Sequence, residues 1–139
     1  MQRSINNNQT CQHTPLRHGI HYFEFLISSK RAVDEWFEAL EGIYTQTASS
    51  GATIKLLIDV RSSGLLPMTY INHVGRQWLK THPVHQDIRI AVLHTSGFPV
   101  SVAQNFTRVI GTSSKHHVQF FSAKQKTDTM AWLSGKNLI

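Results

Sequence analysis

Apolar and polar positions along this chain switch repeatedly between a strand period and a helix period. Ile20, Tyr22, Phe23, Phe25 and Ile27 make a β-rich run that reads as a strand. Ser28 or Ser29 is then placed to cap a helix. In that helix Val33, Trp36, Phe37, Leu40, Ile43 and Tyr44 recur at helical spacing, with the acidic residues mostly on the opposite face. Ser49, Ser50 and Gly51 end it. Residues 54–60 are almost continuously apolar, as in a strand covered on both faces. Pro67 suits a first helical turn. Ile71, Val74, Trp78 and Leu79 mark the second apolar helix face, which Pro83 stops after pushing His82 out of helical geometry. Residues 88–93 read as a third strand. A third helix follows with Val102, Ala103, Phe106, Val109 and Ile110 inward and Gly111 as its C-terminal cap. Residues 118–121 form a short fourth strand. Thr127 or Asp128 caps a last helix bearing Met130, Trp132 and Leu133.

Strands alternating with helices imply right-handed crossovers. The expected class is α/β, with a central, mainly parallel sheet of four or five strands flanked by about four helices. A length of 139 residues fits one domain. Residues 18–139 form that domain. Residues 1–17 are a polar, flexible or weakly paired arm, in which residues 10–13 are a candidate edge strand.

Composition narrows the class further. Hydrophobic residues are 40% and charged residues 16% of the chain, which excludes a disordered protein. No apolar run approaches the roughly 18–20 residues needed to span a bilayer. The N-terminal arm lacks the apolar core of a secretory signal. Cys11 is the only cysteine, so no disulfide forms within the chain. A cytoplasmic protein is the expectation. The net charge of +6 is unevenly placed. Residues 30–47 hold Lys30 and Arg31 against four acids, a net of −2, and the rest holds twelve Lys and Arg against four acids, a net of +8. The basic residues are scattered, which favours surface solvation over a nucleic-acid footprint.

Two loops carry the candidate chemistry. Ser62, Ser63 and Gly64 follow one strand, and Thr95, Ser96 and Gly97 follow another; each leads through a proline into a helix. Helix N-termini present free N–H groups, and hydroxyls and glycines let a phosphate or carboxylate approach. Ligands of open α/β sheets bind at the carboxyl ends of strands. Arg61 and His94 add donors at that edge. The same residues are also ordinary turn and cap residues. Asp59 ends its strand there and has no acidic partner for acid–base work, so it is read as ordering the loop. Nine histidines lack metal-site spacing and are read as surface residues, so no metal or other cofactor is expected. Cys11 lies in the polar arm and reads as a dispensable thiol. Trp36, Trp78 and Trp132 read as core.

Several stretches together resemble a known family. "GIHYFEFLISSKRAVDEWFEAL" is similar to a strand and first helix of the STAS domain, especially in its SpoIIAA-like bacterial relatives. "IKLLIDVRSSGLLPM", "IRIAVL" and "VQFFSAKQKTDTMAWL" resemble the strands and closing helix that follow. The resemblance implies a regulatory binding module of the anti-sigma-factor-antagonist kind. Its partners would be an anti-sigma-factor or kinase-like protein, or a small anionic or lipid ligand. It also implies a phosphoacceptor serine at Ser62 or Ser63, with Arg61 standing where the family carries an Asp. Two other readings remain at this point: an enzyme using Asp59 and the Ser-Gly loops on a small anionic substrate, and a weak, nonspecific nucleic-acid binder.

Overall fold

A computed structural model of the chain describes residues 9–82, 86–104 and 116–135. Its centre is a five-stranded sheet in the order β1-β2-β3-β4-β5. These strands are β1 (Cys11–Pro15), β2 (Ile20–Phe25), β3 (Ile54–Asp59), β4 (Ile88–His94) and β5 (His116–Ser122). Only β1 runs antiparallel to its neighbour. The helices are α1 (Lys30–Thr47), α2 (Met68–Thr81), α3 (100–104 as described) and α4 (Lys126–Ser134). The mainly parallel α/β architecture is therefore the expected one, and the arm supplies its fifth strand.

The strand order decides where the helices sit. Strands β2 to β5 lie side by side in chain order, so successive right-handed crossovers all fall on one face. On that face Phe23, Leu56 and Ile58 pack with Val33 and Leu40 of α1 and Ile71 of α2. On the other face Ile20, Leu57, Ala91, Leu93 and Phe121 pack with Leu133 of α4, which lies over β3, β4 and β5. Side chains alternate between these faces along each strand. Each fully buried Leu, Ile or Phe contributes about 1.5–3 kcal/mol by burial.

Local signals explain most boundaries. Ser29 caps α1, its Oγ accepting from the Ala32 amide at 3.1 Å. At the far end the Gly51 amide donates to Thr47 O, with Gly51 in the left-handed region that turns the chain. Gln86, just before β4, donates to Thr47 Oγ1 at 2.8 Å and Ala52 O at 2.9 Å, fastening that corner. Among the described residues no helix is long and apolar enough to cross a membrane.

Four sequence expectations need correction. The first strand ends at Phe25, which leaves Ile27 54% exposed. Val102 is exposed while Ala103 is buried, so Val102 does not face inward. The last helix is not capped by Thr127 or Asp128. A 3-10 turn at Ala123–Gln125 runs straight into it, with a capping box between Ser122 and Gln125. His82 is not a free surface histidine: its ring stacks on Trp78 and it pairs with Glu41. The expected Phe106, Val109, Ile110, Gly111, Pro83 and His85 positions lie outside the described residues.

Candidate functional site

Register brings the two candidate loops together. Asp59 pairs with Leu93 across β3 and β4, so the chain leaves both strands at the same level. The Val60 amide donates to Leu93 O and prolongs the ladder by one step. The loops are alike in sequence but not in backbone. The first is a tight turn closed by the Gly64 amide on Val60 O at 2.8 Å, with Gly64 at φ 73°. The second closes through the Phe98 amide on Thr95 O at 3.2 Å, and Gly97 is not in the left-handed region. Ser62, Thr95, Ser96 and Gly97 are exposed, whereas Ser63 is half-buried and its hydroxyl donates to Gly64 O. Of the two serines, Ser62 is the one open to solvent.

Asp59 and Arg61 form one closed unit. Asp59 is buried at 2% exposure and takes four hydrogen bonds. Arg61 grips it sideways, Nε to Oδ1 at 3.0 Å and Nη2 to Oδ2 at 2.8 Å. The Arg61 amide donates to Oδ1, and the Tyr22 hydroxyl to Oδ2 at 2.6 Å. Burial alone would raise the Asp59 pKa, but the donors from Arg61 and Tyr22 outweigh it and hold the carboxyl below its ordinary value. Burial and the same carboxylate push the Tyr22 phenol up. The hydrogen bonds to Asp59 raise Arg61 in turn. Each oxygen of Asp59 already accepts two bonds, an arrangement that orders the loop and makes a poor base.

His94 stands on the other side of the sheet. It follows Leu93, which shares a face with Asp59, so the alternation of side chains turns His94 toward the face covered by α1 and α2. There its ring stacks on Phe98 at 5.1 Å between centroids, and Nδ1 lies 2.7 Å from Thr95 O, a contact that needs the proton on Nδ1. Asp59 and His94 therefore do not converge on one substrate. What the loops do share is an apolar notch of about 90 Å³ on the His94 side. Leu65, Leu66 and Met68 come to it from the first loop and α2, Phe98 and Ala103 from the second loop and α3, and Phe120 from β5. Exposed Ile27 lies nearby, since the hydroxyl of Ser28 beside it donates to Leu65 O at 2.7 Å.

Three residues that sequence reasoning passed over hold the rest of this framework. Tyr22 looked like one more strand aromatic, and only the register shows its hydroxyl meeting Asp59. Glu35 looked like an exposed helix acid. It accepts instead from the Thr10 and Cys11 amides, both at 2.8 Å, and so fastens β1 to α1. Phe98 lay between Gly97 and Pro99 with no periodic signal. Elsewhere, His13 Nε2 and His21 Nδ1 are 2.9 Å apart, and burial lowers both pKa values. Cys11 is buried and its thiol is pushed up to about 12 by burial and by Glu35, so it is a poor nucleophile. No group of three metal-ligating side chains converges among the described residues.

Against known proteins, the sequence matches no family model and no curated relative.

Proposed function

We propose that this chain is a non-catalytic binding module that holds a protein partner by one apolar side chain seated at the strand-end edge. The observation that carries this reading is the notch between the two loops. Its volume of about 90 Å³ is roughly the share of three water molecules in the liquid. That is room for an apolar side chain to seat itself. An apolar socket with a polar rim is the arrangement of a protein–protein hot spot. Ser62, Thr95 and Ser96 are exposed on the two loops that lead into the notch, and Ile27 and Val102 are exposed hydrophobic residues of neighbouring segments. Several donors expected for a small anion make internal bonds: Arg61 Nε and Nη2 to Asp59, Ser63 to Gly64, and His94 Nδ1 to Thr95.

The reading keeps the resemblance to STAS domains of the SpoIIAA-like kind. The five-stranded, mainly parallel sheet supports it at the level of the α/β class. Ser62 is then the serine through which a kinase-like partner would act.

The test is selection of a displayed random-peptide library on the immobilised full chain, with a notch-filling variant, Ala103→Leu, as counter-target. Selected peptides should share one Leu, Ile or Phe at a fixed position. They should lose at least roughly tenfold in affinity for the variant, the scale of an anchor side chain excluded from its socket. Leu66→Asp, which charges the wall, should have the same effect. Peptides without an apolar anchor, or equal binding to both folded variants, would overturn the proposal.

A further inference from the structure

A row of basic side chains crosses one face of the sheet, and a stripe of exposed acids runs along a helix on the other. On the face that carries α4, Lys55, Arg89 and His117 stand in one register row across β3, β4 and β5. They share that face with Leu57 and Ala91 because side chains alternate along the strands. The row is at the N-terminal ends of the strands, away from the notch. With strands about 4.8 Å apart, it is about 10 Å long. Exposed Arg17 and His18 lie beside it, for Lys55 Nζ is 3.4 Å from His18 O.

No described carboxylate forms an ion pair with this row. The Arg89 guanidinium rests 4.5 Å from the centre of the Trp132 ring, and its Nε is buried with no acceptor. Arg89 is half-buried, so a carboxylate from solvent meets the outer edge of its guanidinium, not Nε.

A matching set of acids is carried by the chain itself. Asp34, Glu38 and Glu41 are exposed on α1. The helical turn places them within an arc of roughly 60° and along about 10 Å of axis. Glu35 is not part of this stripe, being engaged with β1 and Arg31. Asp34 and Glu41 keep spare lone pairs beside their bonds to Tyr70 and His82. Stripe and row have the same length and opposite sign. They lie on opposite faces of the sheet, so they cannot meet within one molecule.

We infer that the Lys55–Arg89–His117 row is an interaction surface for a second copy of this chain, which docks the Asp34–Glu38–Glu41 stripe of its α1 there. The contact is head to tail, so each copy keeps a free stripe or row, and association grows with concentration or closes a ring. Being built from charge, it is weak and salt-sensitive. It is separate from the notch and stands or falls independently of it.

Sedimentation velocity of the full chain over a concentration series tests it. At low ionic strength the average mass should rise with concentration. The association constant should fall roughly tenfold by about 0.5 M salt, as the charge–charge contacts are screened. Lys55→Glu/His117→Glu and Glu38→Lys/Glu41→Lys should each be monomeric alone. Mixed one to one, they should associate again, because each supplies the charge that the other lacks. If a double variant fails to fold by circular dichroism, His117→Glu and Glu38→Lys alone carry the same swap at exposed positions. A parent chain that stays monomeric, association indifferent to salt, or a folded mixture that stays monomeric would overturn the inference. So would a monomeric parent that binds heparin through this row, which would make the partner another polyanion.

Discussion

Replacing Asp59 by Asn is the sharpest perturbation of the strand-end framework. Asn keeps the shape and one acceptor oxygen. It puts an NH2 where Oδ2 now receives Arg61 Nη2 at 2.8 Å and the Tyr22 hydroxyl at 2.6 Å. The Arg61 Nη2 contact becomes donor facing donor, the Tyr22 hydroxyl must turn to accept from the new NH2, and the Arg61 charge loses its counter-ion. Hydrogen bonds to charged groups contribute about 1.5–3 kcal/mol each. Arg61 is about one-third exposed, with its side chain at 37%, so water recovers part of the loss. A net destabilisation of about 2–3 kcal/mol follows, or roughly 10 °C in Tm for a domain of this size. Thermal unfolding followed by circular dichroism reads it. The pH dependence gives an independent check. The folded pKa of Asp59 lies below its unfolded value, so this stabilisation is fully present above about pH 4 and is lost as pH falls through the folded pKa. The gap between parent and variant should thus be flat from about pH 5 to 8 and narrow below about pH 4. A Tm difference under about 2 °C at neutral pH, or a gap that does not narrow in acid, would show that the carboxylate does not hold the loop.

Three further substitutions test other parts of the fold. Glu35→Gln weakens the grip on the Thr10 and Cys11 amides, and those amides should exchange hydrogen roughly tenfold faster while global Tm changes little; unchanged protection of β1 in an exchange experiment would count against the clamp. Gly64→Ala forces a side chain into the left-handed region and should cost about 1 kcal/mol in urea unfolding, whereas Gly97→Ala should be neutral or slightly stabilising; equal effects at both glycines would mean that the two loops share one backbone form after all.

Elements were more legible in the sequence than the site was. The helix face of Val33, Phe37 and Leu40 and the run from Ile54 to Val60 are periodic signals over many residues, and such signals survive folding because burial rewards them. The candidate edge strand at 10–13 also appears, as β1, though its anchoring by Glu35 is a contact across 24 residues that no local pattern shows. The strand-end loops were found where Ser, Gly and Pro cluster. What the residue types could not show was direction. Asp59, Arg61 and His94 all read as donors or acceptors at one edge, yet a shift of one residue along a strand reverses the face. Val102 failed for a related reason: where a helix begins decides which of two adjacent apolar residues turns inward.

That single-residue parity has a functional consequence. Because β2 to β5 follow chain order, the crossover helices share one face, and the notch forms where two of them start. His94 and Phe98 fall on that side. Asp59 falls on the other, where Tyr22 and Arg61 close over it. A ligand in the notch is thus separated by the sheet from Asp59, the strongly held carboxylate at this edge. From Asp59 the chain runs through Arg61, Ser63 and Gly64 to Leu65 and Leu66, so the ion pair and the notch wall are joined by one tight turn. The charged unit acts on the apolar socket through backbone position. Loosening it should widen the socket before it changes any chemistry, and Asp59→Asn should therefore weaken anchor binding even where the variant remains folded.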